Sequence, residues 1–90
     1  MHVVKRDGRT AEYDPGRIRT AIEKAFRAAG QPDEPTLAEI VADVLRSLES
    51  GFTERSPRVE EIQDLVERTL VDHGLYEVSK RYILYREERA

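Results

Sequence analysis

The sequence predicts an α+β fold in which a four-helix bundle is capped by a small three-stranded β-sheet. Three observations predict it: a hairpin turn signal close to the N-terminus, four apolar stripes with spacings of three and four residues, and a short strand-like stretch between the second and third stripes. A chain of 90 residues has room for one such unit, so we expect a single domain over residues 1–90.

The hairpin is centred on Asp7-Gly8, because an Asp-Gly pair suits the two positive φ angles of a type I′ turn. A two-residue loop at this point pairs Val4 with Ala11, and paired residues share one face of a hairpin. The expected inner face therefore carries Val4, Ala11 and Tyr13, and the opposite face carries Val3, Lys5, Thr10 and Glu12.

The first helix is bounded by clear capping residues. Asp14-Pro15 supplies an N-cap followed by a proline in the first helical position, where its missing N–H costs nothing. Gly30 is expected just beyond the last residue of this helix, in the position that favours a left-handed conformation. We expect Pro32 and Pro35 to keep the following connection non-helical.

The remaining elements follow from similar signals. The second helix is predicted to begin with the capping box Thr36–Glu39 and to end at Gly51. A third strand beside the hairpin is predicted at Phe52-Thr53-Glu54-Arg55, because an isolated two-stranded hairpin is only marginally stable. Ser56-Pro57 predicts the start of the third helix, and the fourth is expected over residues 76–88.

The composition excludes several kinds of chemistry. The absence of cysteine removes disulfides, thiolate zinc sites and cysteine nucleophiles. The phosphate-binding glycine motifs do not occur, and no serine stands in a nucleophile-elbow context. His2 and His73 have no carboxylate at metal-ligand spacing in the sequence, so both are interpreted as surface histidines. We therefore expect neither catalytic residues nor a metal site.

The apolar run lengths and the net charge also indicate the location and the partners of the protein. No apolar run approaches the roughly 20 residues that cross a membrane, and the first residues lack the apolar stretch of a signal peptide. We expect a cytoplasmic protein with no membrane partner. The formal net charge of −3 argues against a general nucleic-acid binder.

Cations are nevertheless concentrated in two places. Lys5, Arg6 and Arg9 lie near the hairpin tip, and Arg17 follows in the first turn of the first helix. The second place is the last helix, which carries Lys80, Arg81, Tyr82, Tyr85, Arg86 and Arg89. Arginine beside tyrosine suits phosphate and base contacts, although a solvated basic surface explains the pattern equally well, and composition alone favours a solvated surface.

Two groups of residues carry a resemblance to a known family. The first comprises Val3-Val4-Lys5-Arg6-Asp7-Gly8-Arg9, Tyr13-Asp14 and Arg17-Ile18. The second comprises Val59-Glu60-Glu61-Ile62-Gln63-Asp64-Leu65-Val66-Glu67, Tyr76-Glu77-Val78-Ser79-Lys80 and Tyr82-Ile83-Leu84-Tyr85-Arg86. In this order and spacing they resemble the opening and closing signatures of the ATP-cone domain, across nearly the whole chain.

The resemblance implies a fold and a function. ATP-cone domains are four-helix bundles covered by a small three-stranded sheet, which agrees with the elements predicted above. The implied ligand is ATP or dATP, accompanied by Mg²⁺, acting as an allosteric effector at the N-terminus of ribonucleotide reductase catalytic subunits. The implied partners are the reductase catalytic domain or subunits, in a nucleotide-dependent homo-oligomer. The chain itself would not be an enzyme.

The resemblance also implies roles for individual residues. Lys5 and Arg6 would bind phosphates, Asp14 would contact the base, and Arg17 would add a further phosphate contact. The adenosine would be wrapped by residues 11–17. The full set that the resemblance implies as nucleotide-binding is Val3, Lys5, Arg6, Ala11, Glu12, Tyr13, Asp14, Arg17, Ile18, Val59, Gln63, Arg86 and Arg89.

The chain departs from the family pattern at three of these positions, and two other functions stay open. Many members carry Glu at the position of Ala11, Thr at that of Val59, and Lys at that of Arg17, which has a different geometry. A repressor-type, transcription-regulating ATP-cone is one alternative, against which the absence of a zinc ribbon argues. A helical interaction module with a decayed nucleotide site is the other, and the departures at Ala11 and Val59 leave room for it.

Overall fold

The computed structural model describes the backbone of residues 1–31 and 33–89, and the side chains of these residues as far as Glu87. Two short strands precede four helices, which confirms the α+β class and the four predicted helices. The elements are β1 (His2–Val4), β2 (Thr10–Glu12), α1 (Pro15–Ala28), α2 (Glu34–Gly51), α3 (Val59–Asp72) and α4 (Tyr76–Arg89).

The four helices close around one apolar interior. α1 packs against α2 and α4, and α3 packs against the same two helices, so each apolar stripe faces the others. Within the described part of the chain, no helix combines the length and the apolar composition that a membrane crossing requires. The most deeply buried side chains are Ile22, Ile40, Val44, Leu48, Pro57, Val66, Leu70 and Val78.

The hairpin register differs by one residue from the predicted register. β1 and β2 are antiparallel, with Val3 opposite Ala11 and Val4 opposite Thr10. Because side chains alternate between the two faces of a strand, a slip of one residue exchanges the faces completely. The prediction that Val4 shares the inner face with Ala11 is therefore wrong, and Val3 takes that place.

The slip arises in the turn, which is longer than the predicted two-residue loop. The Lys5 N–H donates to the Arg9 carbonyl at 2.7 Å, and the Gly8 N–H donates to the Lys5 carbonyl at 3.0 Å. Gly8 has a φ of 87°, so a left-handed glycine closes a three-residue loop. Lys5 consequently lies on the same face of the hairpin as Val3, opposite to the prediction for both.

The third strand predicted at Phe52-Thr53-Glu54-Arg55 is not formed, and among the described residues the sheet has two strands. This segment folds back on itself, with the Arg55 guanidinium 4.9 Å from the centre of the Phe52 ring. The backbone of the hairpin is joined to the segment before α3 by a parallel bridge between Val4 and Arg58, in which the Val4 N–H donates to the Pro57 carbonyl at 2.9 Å.

The bounds of α1 and α4 agree closely with the prediction. The Asp14 carboxylate caps α1 by accepting a hydrogen bond from the Gly16 N–H at 2.9 Å. Gly30 follows the end of α1 with a φ of 69°, the left-handed conformation that glycine adopts without strain. α4 begins at Tyr76, as predicted, and its end lies one residue beyond the predicted position.

α2 begins earlier than the predicted capping box. Its N-cap is Asp33, whose carboxylate accepts hydrogen bonds from the Thr36 N–H at 3.3 Å and the Thr36 hydroxyl at 2.6 Å. Both bonds lower the pKa of Asp33, the side-chain bond most. Pro35 lies inside the first helical turn rather than in a linker, because no helical N–H is needed there. Pro32 lies outside the described residues.

α3 begins later than the Ser56-Pro57 signal predicts. Its N-cap is Arg58, whose N–H donates to the Glu61 carboxylate at 3.0 Å. Arg55 donates to both oxygens of the same carboxylate, at 2.8 and 2.6 Å. These bonds, the Arg55 pair foremost, lower the pKa of Glu61 to about 2. The arginine–carboxylate pair therefore fixes the start of α3.

Candidate functional site

A groove of about 210 Å³ lies between the hairpin, α1, α3 and α4. It brings together side chains that are as far apart in the sequence as the first strand and the last helix. The residues that line it are Val3, Lys5, Ala11, Glu12, Tyr13, Asp14, Arg17, Ile18, Ala21, Val59, Ile62, Gln63 and Tyr82. Among the residues whose side chains the structure describes, this set contains every site residue implied by the resemblance except Arg6 and Arg86.

The corrected hairpin register explains which hairpin residues reach the groove. Val3, Lys5 and Ala11 share one face of the hairpin, and that face forms one wall. Glu12 lines only the edge, because its side chain is 85 % exposed and its Oε1 lies 3.6 Å from His2 Nε2 on the opposite face. The Glu12 carboxylate therefore does not replace the acid that many ATP-cone domains carry at the position of Ala11.

The floor of the groove continues the apolar stripes of the bundle. Ile18 and Ala21 come from α1, and Val59 and Ile62 come from α3, in each case three residues apart and hence on one helix face. Ile18 remains half-buried, whereas Ile22, one turn further along α1, is completely buried. Ala21 and Ile62 were not predicted as site residues, although their spacing from Ile18 and Val59 carries the signal.

The polar part of the rim lies where the hairpin meets α1. Arg17 is 87 % exposed, and its Nε lies 3.8 Å from Asp14 Oδ2. Because the other oxygen of Asp14 caps α1, this carboxylate is held in a fixed orientation beside the groove. Lys5 is exposed on the hairpin wall. Two flexible cations therefore stand at the mouth of an apolar groove.

Two polar side chains from α3 and α4 lie deeper. The buried Gln63 Oε1 accepts no hydrogen bond from the described residues, and such an acceptor costs about 1–3 kcal/mol in the absence of a donor. Tyr82 is 6 % exposed, and burial, assisted by the nearby Glu67 carboxylate, raises its pKa to about 12. Its phenol therefore stays neutral. Tyr82 was predicted as part of a helix surface or core, and not as a site residue.

Arg6 does not line the groove. It lies at the hairpin tip, with its Nε 3.8 Å from Glu60 Oε1 on α3. The neighbouring Arg9 is paired with Asp7 at 2.7 Å, and the hydrogen bonds from the backbone and side chain of Arg9 lower the pKa of that carboxyl. Arg6 is therefore close to the site residues of α3 but is held outside the groove in this conformation.

Arg86 also lies outside the groove and is surrounded by acids. Its guanidinium forms ion pairs with Asp64 at 3.6 Å, with Glu67, and with Glu87 at 3.8 Å. Burial raises the pKa of Glu67, against the lowering effect of Arg86. The positive charge of Arg86 is consequently neutralised locally. The side chain of Arg89 lies outside the described residues.

The chain is similar to members of one protein family. A model of the ATP cone domain matches residues 1–90. The chain is 44 % identical over 95 residues to ribonucleoside-diphosphate reductase subunit alpha of Chlamydia pneumoniae, a match that covers 98 % of the chain and 9 % of that protein. It is 42 % identical over 91 residues to the vitamin B12-dependent ribonucleoside-diphosphate reductase of Mycobacterium tuberculosis, covering 98 % and 12 %.

A third relative extends the range of reductases. The chain is 36 % identical over 89 residues to the anaerobic ribonucleoside-triphosphate reductase of Salmonella typhimurium, and the match covers 98 % of the chain and 12 % of that protein. In all three cases the match covers nearly the whole chain. The chain, however, spans only about a tenth of the length of these curated relatives.

Proposed function

The chain belongs to the ATP-cone family, and we propose that it is a regulatory domain that binds ATP or dATP in the groove beneath the hairpin. The observation that carries the proposal is an apolar groove with cations at its mouth. Val3, Ile18 and Val59 supply apolar walls, and Lys5 and Arg17 supply the charge. An adenine nucleotide is divided in the same way, into a flat base and an anionic tail.

The volume of the groove supports partial enclosure of such a ligand. Sites that hold a complete drug-sized ligand enclose roughly 300–1,000 Å³, which is more than the 210 Å³ available here. A base can lie between the hairpin and α3 while the phosphates remain at the rim. Gln63 Oε1 is a buried acceptor on this wall, and the exocyclic amino group of adenine is a suitable donor.

The rim supports binding of the phosphates. Lys5 and Arg17 are exposed and can move toward a polyanion, with which they form charge-assisted hydrogen bonds. Arg6 can join them by exchanging Glu60 for phosphate, since their 3.8 Å contact is long and half-exposed. Mg²⁺ would enter with the nucleotide, because it prefers phosphate oxygens and water as ligands. The phosphates of ATP and dATP are identical, so these cations do not discriminate between them.

The regulatory step follows from linkage. A nucleotide held between the hairpin and α3 favours the arrangement in which both walls are in contact with it, and any partner that prefers this arrangement is favoured as well. The partner that we propose is a ribonucleotide reductase catalytic domain or its subunits, in a nucleotide-dependent homo-oligomer. The chain covers so small a part of its reductase relatives that we assign it control and not catalysis.

The two alternatives predict different partners. A repressor-type domain would bind DNA, but the relatives reported above are named as reductases. A decayed interaction module would keep the bundle and lose the ligand, because Ala11 and Val59 offer no polar contact in the groove. A gel-shift at physiological salt tests the first, and nucleotide titration tests the second.

Isothermal titration calorimetry of the 90-residue chain with ATP and with dATP tests the proposed function. We expect binding of both nucleotides, and a loss of at least tenfold in affinity for Lys5→Ala, because a charged hydrogen bond contributes about 1.5–3 kcal/mol. Arg6→Ala is expected to weaken binding less, since Arg6 starts outside the groove. Lys80→Ala, an exposed cation of α4 that does not line the groove, serves as the matched control.

Two results would contradict the proposal. One is the absence of binding at millimolar nucleotide by a chain whose helical circular dichroism and cooperative thermal unfolding show that it is folded. The other is equal affinity of the Lys5→Ala and Lys80→Ala variants, which would move the site away from the hairpin.

A further inference from the structure

A second cluster of charged side chains lies apart from the groove, where α2 passes the end of α3. Glu39 and Asp43 are four residues apart on α2 and therefore share one face of that helix. His73 caps the C-terminus of α3. One ligand atom from each residue lies within 4.8 Å of the others, and none of the three residues lines the groove.

The sequence could not reveal this cluster, because its members come from two helices. No carboxylate stands at a metal-ligand spacing from His73 along the chain, and for that reason it was interpreted as a surface histidine. The fold places its Nε2 3.3 Å from Asp43 Oδ2 and 3.7 Å from Glu39 Oε1. The side chain of His73 is 28 % exposed, although the residue as a whole lies at the surface.

The atoms behind the cluster fix which atoms face its centre. His73 Nδ1 lies 2.9 Å from the Thr69 carbonyl oxygen, which can only accept a hydrogen bond, so Nδ1 carries a proton. Arg46 Nη1 donates to Asp43 Oδ1 at 3.0 Å, and Oδ2 is left to face His73. Outer hydrogen bonds of this kind, to the far side of a histidine and of a carboxylate, orient the ligands in metal sites.

The centre of the cluster is electronegative. Nε2 of His73 faces Oδ2 of Asp43 and Oε1 of Glu39, so two carboxylate oxygens and one ring nitrogen converge on one point. A divalent cation between the three atoms would be attracted by both carboxylates. The two carboxylates exceed the single charge of Arg46, and the carbonyl end of α3 adds further negative potential at His73.

We propose that Glu39, Asp43 and His73 form a binding site for a divalent transition-metal ion of the Zn²⁺ class, with water completing the coordination. Tetrahedral zinc with bonds of about 2.0–2.2 Å separates its ligand atoms by roughly 3.3–3.6 Å. The two distances from His73 Nε2 to the carboxylate oxygens, 3.3 and 3.7 Å, are close to this range, and all the ligand atoms lie within 4.8 Å of one another. An imidazole ligand favours zinc over Mg²⁺ or Ca²⁺, which prefer oxygen ligands alone. The ion would clamp α2 to the end of α3.

Calorimetric titration of the nucleotide-free chain with ZnCl₂ tests the site. We expect one ion per chain, and a loss of at least tenfold in affinity for His73→Gln and for Asp43→Asn. His2→Gln is the matched control, because His2 lies near the terminal amine and beside a single carboxylate, Glu12. The control is expected to bind zinc as the unmodified chain does. Zinc should also raise the thermal unfolding midpoint of the chain and of the control, and not that of His73→Gln.

Cobalt substitution checks the ligand set by a separate signal. Co²⁺ bound by three protein ligands and water should give the visible absorption of a four-coordinate ion, and this absorption should be absent in Asp43→Asn. The proposal is overturned if zinc does not bind at high micromolar concentration, which would leave only a contact of His73 with its two carboxylates. It is equally overturned if His73→Gln binds zinc normally, or if only His2→Gln loses it. The native helical content of each variant is checked first by circular dichroism. His73→Gln and Asp43→Asn change different ligands, so one of them still tests the site if the other does not fold.

Discussion

The bundle interior and the groove beneath the hairpin are built from similar apolar side chains but are closed to different extents. Ile22, Ile40 and Leu48 are completely buried, whereas Ile18 and Val59 are only half-buried. All five lie on apolar helix faces, so periodicity alone does not separate them. An apolar stripe can therefore extend past the protein's own core, and the part beyond the core is available to a ligand.

The largest expected effect concerns the closed region. Leu48→Ala should lower the free energy of unfolding by about 2–5 kcal/mol, because a buried leucine is removed and a cavity remains. Urea denaturation followed by circular dichroism measures this. Leu84→Ala, at a leucine that is 47 % exposed on α4, is the control and should change stability by less than about 1 kcal/mol. Equal effects of the two substitutions would show that the interior is not closed as described.

A substitution in the half-open region should separate folding from binding. Ile18→Ala is expected to lower the free energy of unfolding by about 1–2 kcal/mol, less than Leu48→Ala, because solvent already reaches this side chain. The same change should weaken ATP binding about tenfold, since it removes part of the apolar wall. Calorimetry and urea denaturation of one sample give both values. Unchanged ATP affinity would place the base elsewhere.

The bounds of α1 could be predicted because one residue determines each end. Asp14 caps α1 and Gly30 follows its end, so both signals lie within a few residues of the feature that they specify. The start of α3 could not be read in this way. There the cap depends on Arg55 reaching Glu61 across an irregular segment, and Pro57 is used as buried packing instead of a first-turn residue.

Most residues that line the groove were named from the sequence, but the arrangement of the elements around it was not predicted. The hairpin register depends on the length of one turn, and Asp-Gly is compatible with both lengths, so Val3 and Lys5 were assigned to the wrong face. The environment of Arg86 depends on carboxylates of α3, which no local pattern connects with α4. The neighbours of His73 were hidden for the same reason. The four helices could be predicted, whereas the contacts between elements and the fate of the predicted third strand could not.

Gly8 and Gly51 differ in backbone conformation, because of the two only Gly8 has a positive φ. Gly8→Ala should lower the free energy of unfolding by about 1 kcal/mol, because Gly8 has a φ of 87°, which alanine adopts only with strain. No neighbouring atom would contact the added methyl group, so the backbone conformation alone accounts for this cost. Gly51→Ala, at the end of α2, should have no effect or stabilise slightly, since its φ is ordinary for a helix. Thermal unfolding of both variants measures the difference. Equal shifts would show that Gly8 is not held in the left-handed conformation that closes the turn.

The smallest expected effect is a pH dependence at the start of α3. The pKa of Glu61 in the folded chain is about 2, below its ordinary value of 4.5, chiefly because Arg55 donates to the carboxylate. The ionised group therefore stabilises the fold above pH 4.5, and this contribution is lost as the pH falls from 4.5 toward 2. Glu61→Gln should flatten the loss of stability in that range.

Thermal unfolding at a series of pH values measures the contribution of Glu61. Glu54→Gln, at an exposed glutamate of the preceding segment, is the control and should retain the steep acid loss. Parallel curves for the two variants would contradict the role of the Arg55–Glu61 pair in fixing the entrance to α3.

The hydrogen bond from the Val4 N–H to the Pro57 carbonyl has a kinetic consequence. It joins β1 to the segment just before α3, so it must break whenever the hairpin lifts away and carries Val3 from Val59. The rate at which the Val4 amide proton exchanges with solvent deuterium therefore reports on the opening of the groove. A ligand held between the two walls would lower this exchange rate without contacting the amide itself.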